Sequence, residues 1–272
     1  MTAYLLKTRR MLLKDLGKAG LAIMVLGVGA CSEEDANDPT TTASPSRPTT
    51  TDDVTVTTQD VTATTGASTP STQGPISSGW QRANLGFVSA YILYRNGEAA
   101  VIDTGVSGSE TVIEGALREV GLEWGAVGHI IITHNHPDHQ GSLAGLLARA
   151  DDAAWYAGTG DISAITAPTE GMAVGDGDSV FDLRIIETPG HTPGHVSVLD
   201  VAAEVMVTGD ALNGTDGGVT GANPQFTVDM NMANASVAKL ASFDYEVALF
   251  GHGEPILSEA SRAVGELAAT LG

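Results

Sequence analysis

The densest run of chemically active side chains is Thr133-His134-Asn135-His136-Pro137-Asp138-His139, which sets four metal-type ligands within six residues. Three histidines and an aspartate this close repel one another or stay half-protonated unless a cation joins them. His134 and His136 are two apart at the end of an apolar stretch, so an extended backbone projects both to the same side. Pro137 suits the first position of a helix, where its missing N–H costs nothing. Asp138 and His139 then fall in the first turn and face a second point nearby. Three more residues fit this pattern: His191 in Thr188-Pro189-Gly190-His191-Thr192-Pro193-Gly194-His195, Asp210 in Thr208-Gly209-Asp210-Ala211, and His252 in Gly251-His252-Gly253-Glu254-Pro255. Each follows a predicted strand beside glycine, where the chain turns and a side chain can enter a shared cleft. Imidazole and carboxylate ligands suit zinc and tolerate iron, manganese or cobalt. Two such cations sharing a water lower its pKa from ~16 towards ~7, which equips a site to hydrolyse carbonyl or phosphoryl compounds.

These ligands require several strands to end side by side. Phe87–Tyr94 and Ala99–Asp103 are predicted strands joined at Asn96-Gly97, a hairpin signal. Glu110–Val120 is a predicted helix with Val112, Ile113, Ala116, Leu117 and Val120 on one face. The apolar strand His129–Thr133 follows, then a helix through Leu143, Leu146 and Leu147. Val180–Glu187, His195–Asp200, Glu204–Thr208 and Tyr245–Phe250 are further predicted strands, with helices over Ala233–Ala241 and Ser258–Leu271. Strands and helices interleave in both halves, which gives the α/β class.

The chain of 272 residues, 42% hydrophobic, has room for one sizeable domain with appendages. Its 13 basic against 33 acidic residues give a net charge of −20, which argues against nucleic acid as a partner. The single cysteine, Cys31, excludes an intramolecular disulfide and any zinc site with more than one thiolate. Residues 1–30 combine a basic head (Lys7, Arg9, Arg10, Lys14, Lys18) with the apolar run Leu21–Ala30. That run is shorter than the ~20 residues a spanning helix needs, so the segment is expected to be an export signal. Thr8-Arg9-Arg10-Met11-Leu12-Leu13-Lys14 resembles the twin-arginine signal, and Val28-Gly29-Ala30-Cys31 resembles the lipobox in which the cysteine is lipidated. Residues 31–78, rich in Thr, Ser, Pro and Asp, are expected to be a disordered tether, and 79–272 the catalytic domain. The expected location is the outer face of the cell membrane, held through a lipid anchor on Cys31.

His134-x-His136-x-Asp138-His139, followed in order by His191, Asp210 and His252, resembles the signature of the metallo-β-lactamase superfamily, and Asp103-Thr104-Gly105 resembles its early strand-turn. The resemblance extends from about Phe87 to the end of the chain. It implies a four-layer αβ/βα sandwich with the metals at the edge where the two sheets meet. It implies that His134, His136 and His191 hold one divalent ion, that Asp138, His139 and His252 hold another, and that Asp210 bridges them. Two zinc ions are the first expectation, with iron or manganese as substitutes. Asp138 and Asp210 would be catalytic, orienting a metal-bridged hydroxide and taking up its proton.

Departures from the better-defined branches narrow the resemblance. No cysteine follows Cys31 to serve as the ligand of two β-lactamase classes, and the third class lacks a bridging aspartate. The superfamily's nucleases carry inserted substrate domains, for which this chain is too compact and acidic. Glyoxalase II adds a helical domain, for which the 20 residues after His252 leave little room. Acyl-homoserine lactonases place tyrosine where this chain has Asn213, and flavin di-iron proteins place a carboxylate where it has His136. The expected activity is therefore hydrolysis of an ester, lactone or thioester of a small, neutral or weakly charged molecule. Alternatives are a mononuclear-iron sulfur oxygenase similar to persulfide dioxygenases, a β-lactam hydrolase, or a non-catalytic metal-binding surface lipoprotein. Protein partners and oligomeric state are not legible. His195 and Asp103 are expected to support the ligands without binding metal, and His129 to be structural. Asn213 and Phe226 fit either a cleft lip or an exposed loop. Trp80 and Phe87 fit core packing or, less readily, a cover over the cleft.

Overall fold

The computed structural model describes Ser77 and residues 79–271. The expected leader, Cys31 and the tether, apart from Ser77, lie outside the described residues. The first sheet has six strands in sequence order: β1 (Trp80–Asn84), β2 (Ser89–Arg95), β3 (Glu98–Ile102), β4 (Val127–Ile132), β5 (Ala154–Gly158) and β6 (Met172–Val174). β1 to β3 form an antiparallel meander, and β3 to β6 run parallel. β7 (Ser179–Val180), β8 (Leu183–Glu187), β9 (Val196–Asp200), β10 (Val205–Gly209) and β13 (Val247–Phe250) form the second sheet in the order β13-β10-β9-β8-β7. β10 and β13 are its parallel pair. A separate hairpin joins β11 (Leu212–Thr215) to β12 (Gly218–Gly221).

The core sorts into three apolar layers, which make the molecule four layers deep. Ile92, Ile130 and Ile132 point away from the second sheet onto α1 (Glu110–Glu119) and α3 (Leu143–Leu147), meeting Ile113, Leu117 and Leu146. The alternate residues Tyr91, Leu93 and Ile131 point inward and meet Ile185, Val198, Val207 and Leu249 of the second sheet. Met206, Ala248 and Phe250 then pack outward against Val237 and Leu240 of α4 (Met230–Leu240) and Val264 of α5 (Ala260–Leu271). This accounts for the near-continuous apolar strands: both faces of each sheet are covered, so the usual alternation with polar residues disappears. Each fully buried Ile or Leu contributes ~1.5–3 kcal/mol over an exposed one. The α/β sandwich implied by the resemblance is the fold observed.

Several elements differ from the sequence expectation. The stretch Val180–Glu187 is two strands, turned at Phe181 and Asp182 with φ of 52° and 61°. Those are left-handed conformations that glycine usually supplies, so this turn carries no sequence mark. The helix expected through Leu147 is divided into α2 (Pro137–Gln140) and α3, interrupted at Gly141 and Ser142. A Cβ at Gly141 would press on Ser107 N and Gly105 O, so the break lets the Asp103-Thr104-Gly105 turn sit against the ligand helix. Val112 is exposed, and α1 buries only Ile113, Ala116 and Leu117. β1, β5, β6 and the β11–β12 hairpin are additions to the expected set.

The parallel strands set the functional edge. β3 and β4 end together, leading into Asp103 and His134, while β10 and β13 end together, leading into Asp210 and His252. The loop after β8 carries His191 to the same edge.

Candidate metal centre

Seven side chains expected to bind metal converge at this edge. His134 lies in a bend past β4, so its approach to His136 comes from the turn and not from an extended strand. His136 Nδ1 lies 3.0 Å from His134 Nε2 and 3.0 Å from His191 Nε2. Pro137 opens α2 as expected, which turns Asp138 and His139 to a second point. There His252 Nε2 lies 3.2 Å from Asp138 Oδ2 and 3.4 Å from His139 Nε2. Asp210 reaches both groups: Oδ1 is 3.2 Å from His139 Nε2, while Oδ2 is 3.3 Å from His252 Nε2 and 3.4 Å from His191 Nε2.

The opposite ring atoms fix which nitrogens are free. His139 Nδ1 donates to Asp103 Oδ2 at 2.8 Å, His252 Nδ1 to the Phe87 carbonyl at 2.7 Å, and His191 Nδ1 to Thr227 Oγ1 at 3.1 Å. Thr227 in turn donates to the Asn223 carbonyl. Thr133 gives its hydroxyl proton to Asp103, so His134 Nδ1 donates to Thr133 Oγ1 at 3.1 Å. Four imidazoles therefore present an unprotonated Nε2 when neutral, as metal ligation requires.

These residues fit a pair of cations. Nitrogens on one tetrahedral ion with ~2.05 Å bonds lie ~3.3 Å apart, close to the spacings seen here. Asp210 Oδ1 is buried and makes no well-aligned hydrogen bond, with His139 Nε2 3.2 Å away, so a cation shared with that imidazole would satisfy it. A Cβ at Gly251 would collide with Asp210 Oδ1 and crowd His139 Cε1, so glycine keeps that space open. The candidate groups are His134/His136/His191, His134/His139/Asp210 and Asp138/His139/His252.

Charge divides the site. Burial pushes His134 well below the ordinary imidazole range, lowers His136, and takes His191 down to about 4. For His139 burial works in the same direction, but Asp210 and Asp103 overcome it and hold the imidazole well above its usual value. Hydrogen bonds to Asp138 and Asp210 push His252 up to about 10. In return the His252 hydrogen bond lowers Asp138, and His139 holds Asp210 well below the carboxylate range in spite of its burial.

His195 and Asp103 occupy supporting positions. The Asp210 N–H donates to His195 Nε2 at 3.0 Å, and His195 Nδ1 donates to Thr188 Oγ1 at 2.8 Å, so neither nitrogen is free for a metal. Burial takes His195 down to about 3, which keeps Nε2 an acceptor. Asp103, at φ 61°, accepts from the Thr133 N–H and from His139. His129 lies away from the cluster, 3.3 Å from the Tyr156 hydroxyl.

Two supporting residues are absent from the sequence expectation. Asp161 is fully buried and accepts from Asn135 N, Thr192 Oγ1 and Gly194 N, tying the His134–His136 loop to the His191 loop. It sits beside Gly160 just past β5, the same strand-end signal as the ligands, and is hidden because β5 itself is not expected. Arg82 clamps the His252 loop through Glu254 at 2.7 Å and the Gly253 carbonyl at 3.0 Å.

A cleft of about 520 Å³ opens over the centre, with His136, Asp138, Asp210 and His252 in its wall. Asn213 and Phe226 also line it, which decides for the lip over the plain loop. Phe87 is 64% exposed, lines the cleft and stacks on His252 with centroids 6.0 Å apart. Trp80 is core, donating from Nε1 to Asp200.

Comparison with known proteins agrees with this architecture. A hydroxyacylglutathione hydrolase of Cupriavidus taiwanensis is 36% identical over 125 residues, covering 42% of this chain and 45% of that protein. The chain thus spans about half the length of such curated relatives. A probable metallo-hydrolase of Bacillus subtilis, YqgX, is 30% identical over 154 residues, covering 49% of this chain and 71% of that protein. Among solved structures, a metallo-beta-lactamase family protein from Thermus thermophilus superposes with TM-score 0.57 at 23% identity, covering 71% of this chain and 79% of that one. The metallo-beta-lactamase SMB-1, in complex with mercaptoacetic acid, gives 0.59 at 16%, covering 73% and 93%. These two likenesses concern the fold. The family profile described as Metallo-beta-lactamase superfamily matches residues 83–252, a span that contains all seven converging side chains, and the chain belongs to that superfamily.

Proposed function

We propose that the protein is an exported metal-dependent hydrolase that cleaves an ester, lactone or thioester of a small molecule. The observation that carries this is the geometry around Asp210: a buried carboxylate whose oxygens lie within 3.4 Å of imidazoles from both candidate groups. His134, His136 and His191 would hold one divalent ion and Asp138, His139 and His252 the other, with Asp210 shared. Zinc suits this donor set, and iron or manganese would also be accommodated. Such ions, when bound, lower the pKa of water and polarise a substrate oxygen. The chain's own residues do the rest. Asp138, in the cleft wall, is ionised at neutral pH and is placed to accept a proton from the attacking water. Asp210, held by its backbone to His195, keeps its carboxylate fixed between the two groups. The cleft opens directly over this cluster, so a scissile carbonyl entering it meets the carboxylates and imidazoles together.

Relatives named hydroxyacylglutathione hydrolase favour the acyl-transfer chemistry of a thioester, although they are matched over less than half their length. The decisive experiment pairs elemental analysis with a panel of esters, lactones, thioesters and β-lactams. The expected result is two divalent ions per chain and turnover of an acyl ester, lactone or thioester that chelation abolishes. One iron per chain with oxygen uptake on a persulfide would replace the hydrolase with a dioxygenase. Two ions with no turnover would favour a metal-binding lipoprotein.

Export and anchoring are proposed from Arg9-Arg10 and Val28-Gly29-Ala30-Cys31. Secretion of folded protein would let the metals load inside the cell before exposure to competing ions. Replacing Arg9 and Arg10 with lysine is expected to strand the protein inside, and Cys31→Ser to abolish palmitate labelling. Surface delivery unchanged by the first substitution would overturn the route.

A further inference from the structure

Hydrolysis at this centre leaves open what kind of molecule the cleft selects, and its walls differ from the acidic exterior. Phe87 and Phe226 line it and remain 64% and 60% exposed, although burying such rings is ordinarily favourable. Val228, 72% exposed, follows Phe226 in the same segment, with its N–H bonded to the His191 carbonyl. The polar groups in the wall, ligands aside, are the amides of Asn213 and Asn223. Among the described residues no lysine or arginine lines the cleft. Arg82, which holds the adjoining loop, is directed onto Glu254, and Lys239 onto Asp176. An anionic group remote from the scissile bond would therefore find no cation to receive it, in a chain already carrying −20.

We infer that the cleft selects an uncharged substrate with an extended apolar acyl group, which lies against Phe87 and Phe226. This rests on the hydrolase reading for the bond that reacts. The neutral polar part of such a molecule meets the Asn213 and Asn223 side. These amides border a second hollow of about 490 Å³, which shares His252 with the cleft and reaches Asn234 and Met230. The carbonyl faces the ligand cluster, while the chain is taken from water by the two rings.

The test uses the full-length, metal-replete protein and thioesters bearing acetyl, hexanoyl or decanoyl groups. One series is built on uncharged N-acetylcysteamine and the other on anionic glutathione. In the uncharged series kcat/KM is expected to rise at least about tenfold from acetyl to decanoyl, since each methylene removed from water is worth up to about fourfold. The glutathione series is expected to be slower at every length. Phe226→Ala should compress the decanoyl-to-acetyl ratio, and Phe226→Leu should restore most of it. Calorimetric titration with unreactive decanamide, against acetamide, reads the same preference without turnover. A flat uncharged series, or a preference for glutathione, overturns the inference and leaves the hydrolase standing. Decanamide binding that depends on Phe226, with no thioester, ester or lactone cleaved, retains the apolar cleft and removes the hydrolase. Absence of decanamide binding overturns the inference in either case.

Discussion

His134, His136 and His191 meet as three imidazoles that burial keeps neutral, and Asp210 is the carboxylate that approaches them. Asp138, His139 and His252 meet inside a frame of three carboxylates, their own Asp138 together with Asp103 and Asp210. Both trios have the donor types of a divalent-metal site, yet they start from opposite charge states. The first is ready for a cation as it stands. The second holds protons on His139 and His252 where the cation must go. The carboxylates that repel loss of those protons are the same groups that favour a metal once they have left.

Asp210→Asn strikes both halves and should have the largest effect. It removes the one charge in contact with His139, His191 and His252 while preserving shape and the N–H bond to His195. Turnover is expected to fall by orders of magnitude, and metal content from two ions to one or fewer, while the chelated protein keeps its fold but melts at a lower temperature near neutral pH, because the charge that raises His139 and His252 is gone. A fully metallated, active variant would remove Asp210 from its shared position. Asp103→Asn separates the halves. It breaks the acceptor that orients His139 directly and reaches the first trio only through Thr133 and His134, leaving His191 untouched, so affinity at the second trio should drop about 10–100-fold and that at the first trio by less. Equal losses in both would mean the centre behaves as one unit.

Proton competition sharpens the contrast further. Around neutral pH, binding at the second trio should release up to two protons, so its affinity should rise up to about tenfold per pH unit for each proton released. The first trio should be flat there and weaken only as pH falls towards about 4, where His191 titrates. Zinc titrations at pH 6, 7 and 8 with proton release measured in parallel would separate them. Chelated protein should also show two stability windows. His252, raised to about 10 in the fold from ~6.5 unfolded, contributes stability that is complete below 6.5 and lost as pH rises through 10. His191 and His195, lowered to about 4 and about 3, work the other way. Between their folded and unfolded values the unfolded chain binds more protons, so stability falls as pH drops from ~6.5 towards 3. A thermal midpoint independent of pH from 3 to 10 would contradict both.

The seven converging side chains are legible in the sequence because a shared cation would restrict residue type, and each lies near a strand end marked by glycine or proline. Asp103 and His195 are legible as supports for a similar reason, being neighbours of motif residues. Asp161 and Arg82 are not. Each acts through contacts distant in sequence, as when Arg82 holds Glu254 from 172 positions away, and nothing local distinguishes such an arginine from a solvated one. The apolar strands are readable where both faces are buried, as in Ile130–Ile132. β6, with two of its three residues exposed, lacks that signal. Phe181 and Asp182 hide a hairpin because a left-handed turn made without glycine is set by the surrounding sheet and not by its own residues.

The smallest effect expected within the comparison concerns how the first trio is oriented without a carboxylate of its own. His191 is steadied by Thr227, a neutral hydroxyl on the segment between the β11–β12 hairpin and α4, where the second trio uses Asp103. A neutral acceptor makes a weaker hydrogen bond than an ionised one, and Thr227 is only partly buried, so water can replace part of what is lost. Thr227→Val keeps the side-chain volume and deletes the acceptor. Affinity at the first trio should fall by no more than about tenfold, the lower end for removing a supporting partner, and the pH profile of the second trio should not move. If Thr227→Val costs as much as Asp103→Asn, ring orientation and not the charge of the supporting acceptor governs affinity in both halves.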